Sequence, residues 1–335
     1  MIRLSVIIPV FGVERFISRC LDSVFSINLP QDEYEVICID DCSVDSSVRI
    51  IGQYQVAHPN LHLLRHNENK RQGGARNTGI RSAKGEYIIF VDADDSIPRY
   101  DIAGLLVYMG NNDLDLLLGT AQIISDDGNV QRWGNAPHME SPIMAGPDLF
   151  TDGYIHKIAY GVVWLGIYRS ELVRRTKPFV EHVPYEDTDW TLQCAYLARR
   201  VQYKPVLLYD YIRNQVSTTR LRSIQSVVCQ VDQGLRVWHW GHSVTENRDA
   251  VLLAVRDYCI FNLQVLLTLW KYGRKERKEL YDSFTQENWT TMKSWLDSKK
   301  GWLSFYLRYP VTSRIVLNIV SPFLRIGKHI KALFI

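Results

Sequence analysis

The amino-acid sequence predicts an α/β fold: a mainly parallel, Rossmann-like sheet flanked by helices, followed by a helical C-terminal extension. Three observations predict it. Short apolar runs rich in Val and Ile alternate with helix-periodic segments over the first hundred residues, two of those runs end in clustered carboxylates, and from about residue 221 helical periodicity takes over. Strands that are apolar throughout must be covered on both faces, as parallel sheets are, and ligands then gather at the strands' carboxyl ends.

The elements come in order. "LSVIIPV" (4–10) is a β-branched first strand, and "VERFISRCLDSVFS" carries Phe16, Cys20, Leu21 and Val24 at helical spacing. "YEVICIDD" (34–41) gives a second strand and "DSSVRIIGQYQVA" a second helix. "LHLLRH" is a short third strand, and "KRQGGARNTG" reads as a flexible Gly-rich turn leading to the fourth strand, "YIIFVDA". Asp40, Asp41, Asp92 and Asp94 stand at strand ends. A lone Asp there is ordinarily a helix cap, which is the reading for Asp45. Two acidic strand ends facing one crevice point instead to a ligand, because the carboxylates of "VDADD" repel unless a cation or strong donors offset them.

Composition narrows the classes. The 335 residues, 46% of them hydrophobic, suffice for a large domain with an extension, and a net charge of +3 is too mild to imply nucleic acid. Cys20, Cys38, Cys42, Cys194, Cys229 and Cys259 form no CxxC pair and no zinc spacing, so a reducing cytoplasmic setting is expected. The opening apolar stretch meets Glu14 and Arg15 at once and reads as a strand, not a signal segment. "YCIFNLQVLLTLW" is too short to cross a bilayer. His239 and His242 lack nearby carboxylates, and a structural role is expected for both. GxGxxG after a strand and GxxxxGK[ST] are both absent, which excludes the dinucleotide and P-loop readings. The DxD of haloacid-dehalogenase-like phosphatases comes after a first strand, whereas here it comes after a fourth.

Taken together, "SVIIPVFGVERFISRCLDSV", "VICIDDCSVDSS", "NKRQGGARNTGIRSAKGEYIIFVDADD" and "YEDTDW" resemble the family 2 glycosyltransferases, inverting nucleotide-sugar enzymes with a GT-A fold, over about residues 3 to 215. The resemblance implies a GT-A domain at 1–220 and a helical extension at 221–335. It also implies a hexosyl- or N-acetylhexosaminyltransferase that moves a sugar from a nucleotide-sugar, a UDP-sugar first, to a hydroxyl of a glycan or lipid-linked acceptor in bacterial polysaccharide or capsule synthesis. A non-catalytic sugar-nucleotide binding protein is the rival reading, and the intact "ED" pair argues against it.

The chemistry agrees with the residue types. Departure of a nucleoside diphosphate leaves charge on phosphate oxygens, which Mn2+ or Mg2+ held by hard oxygen ligands offsets. In an extended segment Asp92 and Asp94 fall on one side, with Ala93 turned away. By resemblance Asp94 is the direct metal ligand and Asp92 faces the ribose or the ion's water, while Asp95 caps the segment after the motif. Pro9, Val10, Glu14, Asp40 and Asp41 hold base and ribose, Asp41 being favoured for the uracil imide. Lys70, Arg71 and Arg76 approach the phosphates. Gly12 stands where the family often has Asn, Cys42 where Gly is usual, and Gly166 at or near a common Lys. Asp187 maps onto the base that deprotonates the acceptor hydroxyl, with Glu186 beside it; the same acidic residues would also suit a helix N-terminus. Trp164 and Trp190 are candidate acceptor platforms, and Arg213, Ser217 and Arg220 lie in a segment that closes over the diphosphate. The run from Gly301 to Ile335 is acid-free and basic, which suits peripheral attachment to the inner membrane face. Packing on the protein or on a second copy in a homodimer is its alternative.

Overall fold

The computed structural model describes residues 1–134, 137–151, 155, 161–213, 223–263 and 274–295. The chain divides into two compact units, Met1–Ser217 and Thr218–Ile335.

The first unit begins as the sequence predicts, with strands β1 (Leu4–Val10), β2 (Tyr34–Asp40), β3 (Leu61–Arg65) and β4 (Tyr87–Phe90) alternating with helices α1 (Ile17–Phe25), α2 (Ser47–Ala57) and α3 (Arg71–Ser82). Every residue of β1, β2 and β4 is buried, as their unbroken apolar character demands. Each Val or Ile so covered contributes roughly 2 kcal/mol of transfer free energy. After α4 (Ile102–Asn111) come β5 (Leu116–Ile124), β6 (Val130–Arg132), α5 (Asp148–Thr151), β7 (Gly166–Arg169), α6 (Ser170–Arg175), α7 (Asp187–Leu197) and β8 (Val201–Ile212). The sheet order is β3-β2-β1-β4-β7-β5-β6, with β8 paired to β5. Pairs among β1 to β4 and the β5/β8 pair are parallel, while β7 and β6 run antiparallel to their neighbours. This is the expected mainly parallel α/β sheet.

Register levels the carboxyl ends of β1 and β2, while β4 stops three residues short of the end of β1. Val10 is opposite Asp40, Ile7 is opposite Phe90, and the Val91 amide donates to the Ile7 carbonyl at 3.0 Å. Because β1 lies between β2 and β4, the connections leave it in opposite directions there and open a crevice at that edge. Both acidic strand ends line it.

The stretch read as a flexible Gly-rich turn is mostly helix: α3 starts at Arg71. Its glycines serve close packing. A Cβ on Gly73 would sit 2.3 Å from the Val180 carbonyl oxygen and 3.0 Å from Glu186 Cγ, so only glycine lets the helix approach that loop. The acidic segment after β4 is likewise not extended. Beyond Phe90 the chain turns, with the Asp95 amide donating to the Asp92 carbonyl at 3.0 Å.

In the second unit, α8 (Ile224–Ser243) and α9 (Arg248–Leu263) pack side by side, and α10 (Arg274–Asp282) and α11 (Gln286–Ser294) come after them. Ser223 caps α8, and Thr285 with Asn288 forms a capping box on α11. The Tyr258 hydroxyl donates to Gln233 at 2.8 Å across the first two helices. His242 Nδ1 lies 3.0 Å from the Trp238 carbonyl, a local contact within α8. Among the described residues no helix is long and apolar enough to cross a membrane. Ser217, Arg220 and the 301–335 tail lie outside the described residues.

Candidate active site

The crevice is built from three loops. After β1, Pro9 and Val10 are buried at the strand end, and the exposed Glu14 accepts from the Ser46 amide at 2.9 Å. Asp45 accepts from the amides of Glu14 (2.9 Å) and Ser47 (3.0 Å). Partial burial raises its carboxyl, but these bonds outweigh that and hold it below the usual range. Asp45 thus bonds the first amide of α2 from one residue before the N-cap position, which Ser46 fills.

After β2, Asp40 is fully buried, accepting from the Ser43 amide at 2.9 Å and pairing with Arg65 at 3.2 Å. It holds the loop together. Asp41 is oriented differently. Its Oδ1 accepts from His66 Nδ1 at 2.7 Å and from the Lys70 amide at 2.8 Å, while its buried Oδ2 has no hydrogen-bond partner. His66 is fixed in turn by Thr78 Oγ1, 2.9 Å from Nε2. Two of the three departures from the family pattern fall on left-handed backbone, Gly12 at φ 65° and Cys42 at φ 70°. Asn and Gly tolerate that region, whereas Cys does so at a cost.

After β4, Asp92 and Asp94 are half-buried and Ala93 is buried, so the alternation in burial survives although the backbone turns. Asp92 pairs with Arg76 at 2.7 Å, and the Asp94 carbonyl accepts from Arg19 at 2.6 Å. Asp95 does not cap the segment after the motif. It is buried, with Oδ2 accepting from the Tyr209 hydroxyl at 2.9 Å and Oδ1 from the Ile212 amide at 2.7 Å. Burial, with Asp94 and Asp92 nearby, pushes its carboxyl up to about 9.

Arg76 is the largest correction to the sequence reading. Expected on the phosphates, it is 2% exposed and bridges Asp92 to Glu186. Burial opposes its charge, yet Asp92 and Glu186 more than compensate and raise its pKa. The two acidic motifs, far apart in sequence, thus share one buried cation carried by α3. Arg71, by contrast, is exposed, with φ 59° at the start of the helix. Lys70 lies 3.8 Å from Glu181.

Glu186 immediately precedes α7, and Asp187 is its first residue. Burial pushes Asp187 up to about 8, with the adjacent Glu186 carboxylate adding and Arg76 opposing. Glu186 is raised by the same burial against the pull of Arg76. A carboxyl poised near neutrality suits an acid–base role. Tyr185, just before the pair, has φ 61°, one of the uncommon left-handed conformations that cluster at functional sites.

The two tryptophans expected to face an acceptor lie in the core. Trp190 is 2% exposed, stacked on Phe179 at 4.4 Å with its edge toward Phe90 and Tyr168. Trp164 is 6% exposed and stacked on Tyr209 at 4.3 Å. Each lies where a helix meets the sheet, so its apolar area is spent on packing. Arg213 is exposed and donates its amide to Ile124 at 2.9 Å. An added Cβ on Gly166 would meet the Tyr168 ring at 2.7 Å, leaving no room for a side chain there without repacking.

Residues 5–176 match the family described as Glycosyl transferase family 2, a stretch that holds both acidic strand ends and stops before Glu186. The chain is 31% identical over 224 residues to the uncharacterized glycosyltransferase YibD of Escherichia coli, covering 65% of this chain and 64% of that one. It is 39% identical over 213 residues to the poly(ribitol-phosphate) beta-glucosyltransferase of Bacillus spizizenii, covering 63% of this chain and 32% of that one. The matched region is thus less than two thirds of either relative's length. The solved structure of S. aureus TarS 1-349 in complex with UDP-GlcNAc has the same fold, with a TM-score of 0.67 over 98% of this chain and 93% of that chain at 19% identity. With the family match running over just over half of the residues, on a GT-A sheet whose acidic strand ends fall within it, the chain belongs to glycosyl transferase family 2.

Proposed function

We propose that the protein is a metal-dependent, inverting glycosyltransferase that moves a sugar from a UDP-sugar to a hydroxyl of a glycan or lipid-linked acceptor in cell-surface polysaccharide synthesis. The observation that carries this reading is the chain Asp92–Arg76–Glu186 with Asp187 beside it, which sets a carboxyl raised to about 8 within the same buried network as the acidic turn after β4.

Asp41 offers its unpartnered Oδ2 as an acceptor for an N–H donor, which suits the imide of uracil. Pro9 and Val10 form the neighbouring strand end, and Glu14 ties the loop after β1 to the start of α2. The donor set fits a hard divalent cation: two half-buried carboxylates one residue apart, with Ala93 packed inward. Among the described residues no three His, Cys, Asp or Glu side chains converge as a self-contained metal site. An ion shared with substrate phosphates needs only one or two protein carboxylates. Asp94 and Asp92 would hold it, and when bound it offsets charge gathering on the diphosphate leaving group.

Asp187 removes the proton from the acceptor hydroxyl as the oxygen attacks the anomeric carbon opposite the leaving diphosphate. Inversion results from that single displacement, with no bond formed to the enzyme. Glu186, tied to Arg76, holds the start of α7 and keeps Asp187 basic by its own charge.

The test separates binding from turnover. Calorimetry with UDP and Mn2+ is expected to show binding by the parent and by Asp187→Asn and none by Asp94→Ala. Release of UDP from UDP-sugars by Asp187→Asn should fall a hundredfold or so, the usual worth of a general base. Near-parental turnover by that variant would refute the base assignment.

A further inference from the structure

We infer that Trp133 and Tyr211, neither of which the sequence motifs single out, form a stacking platform for a pyranose ring beside the acidic turn after β4; the inference rests on the reading given under Proposed function. Four aromatic rings form one block here. Tyr209 and Trp164 are its buried inner layer, stacked at 4.3 Å with ring planes 12° apart. Tyr211 continues the stack, 6.2 Å from Trp164 and tilted by only 17°. Trp133 meets both at a steep angle, 80° to Trp164 at 5.0 Å and 68° to Tyr211 at 5.2 Å. The outer pair is half-buried, so part of each residue stays exposed where the buried inner rings are not.

The block is anchored to the acidic turn. The Tyr209 hydroxyl accepts from the Asp92 amide at 3.0 Å and donates to Asp95, and the residue after Tyr211 gives its amide to Asp95 at 2.7 Å. Trp133 is held from the other side, its amide donating to the Ala121 carbonyl at 2.8 Å just beyond β6. Backbone ladders and buried rings thus fix both outer side chains. A sugar presents an apolar C–H face and a hydroxyl rim, so a ligand able to use an aromatic corner and nearby carboxylates at once is a pyranose. Trp164 and Trp190, the expected platforms, are covered; Trp133 and Tyr211, both partly exposed, lie one layer outside Trp164.

Saturation-transfer NMR on the full chain with diamagnetic Mg2+ and either UDP, UDP-glucose or methyl β-glucopyranoside tests this. Pyranose protons are expected to receive saturation from the parent. Affinity for the pyranose should fall about tenfold in Trp133→Ala and in Tyr211→Ala, the upper end of what one aromatic contact supplies, and recover in Trp133→Phe. Retained saturation of uridine protons shows that each variant is folded. A loss confined to UDP-glucose assigns the platform to the donor sugar, and a loss with methyl glucopyranoside assigns it to the acceptor. Unchanged pyranose saturation in both alanine variants, or none in a parent that binds UDP, overturns the platform. A parent that fails to bind UDP overturns the nucleotide-sugar reading, and this inference with it.

Discussion

Replacing Arg76 with Met keeps most of the side-chain volume and removes the cation that Asp92 and Glu186 share. Glu186 is the deeper partner, its side chain 3% exposed against 18% for Asp92, so most of the penalty falls on it. Breaking a buried pair from one side costs about 3–5 kcal/mol, because the remaining charge keeps its desolvation penalty and loses its partner. Glu186 escapes part of that cost by taking up a proton, which gives the effect a sign in pH. Without Arg76 the folded-state pKa of Glu186, already raised by burial, rises further. The folded variant then binds more protons than the unfolded chain, and stability falls as pH increases from the unfolded value toward the folded one. Each pH unit within that window is worth up to about 1.4 kcal/mol, so the penalty at pH 8 should exceed that at pH 6 by as much as about 2.7 kcal/mol. Urea denaturation of parent and variant at the two pH values measures this directly. Arg76→Lys, which keeps a charge without the fork, should fall between them. A penalty below about 1 kcal/mol at pH 8, or one that does not grow with pH, would refute the claim that Arg76 offsets buried carboxylates.

Turnover should rise with pH through about 8 as Asp187 ionises, a limb that initial-rate profiles will show and that Asp187→Asn should lack. The Asp95→Asn variant should have a flatter stability–pH profile than the parent, whose Asp95 is protonated in the fold up to about 9 and ionised above about 4 when unfolded; thermal melts between pH 5 and 8 check it. Gly73→Ala should destabilise by about 1–3 kcal/mol, since the Val180 carbonyl at 2.3 Å is backbone and cannot swing aside, and calorimetry would register the loss. At position 42, Cys42→Gly should melt about 2–4 °C above Cys42→Ala, because the comparison isolates the left-handed backbone.

The strands were legible because their residues must be buried on both faces. "LSVIIPV" is β1 from end to end, and "YEVICID" is β2. The acidic strand ends were legible for a related reason: charge directly after such a run has to emerge at the sheet edge. Hidden from local pattern was whatever depends on a partner distant in sequence. In "KRQGGARNTG" three glycines argue against a helix by propensity. Tertiary packing overrides that, since Gly73 and Gly79 are the points where α3 touches the Glu186 loop and β1. Arg76 reads as a phosphate-facing cation because its carboxylate partners lie 16 and 110 residues away and are invisible to local pattern. Trp190 looked like a platform because its position beside "ED" was visible and the Phe179 ring covering it was not.

Two of the three carboxylates after β4, Asp92 and Asp95, are tolerated by different means, and the difference bears on what each can do. Asp95 is buried, its carboxyl pushed up to about 9, and bonded by Tyr209 and Ile212, which makes it a fixture of the turn. Asp92 is offset by Arg76, so its charge is already part of a protein network. That network runs through α3 to Glu186 and the start of α7 at Asp187, and Gly73 is the point of close approach that permits it. One helix therefore sets the distance between the residues proposed to hold the leaving group and those proposed to activate the acceptor. A change in α3 that touches no substrate should then alter donor binding and turnover together, whereas Asp187→Asn should separate them.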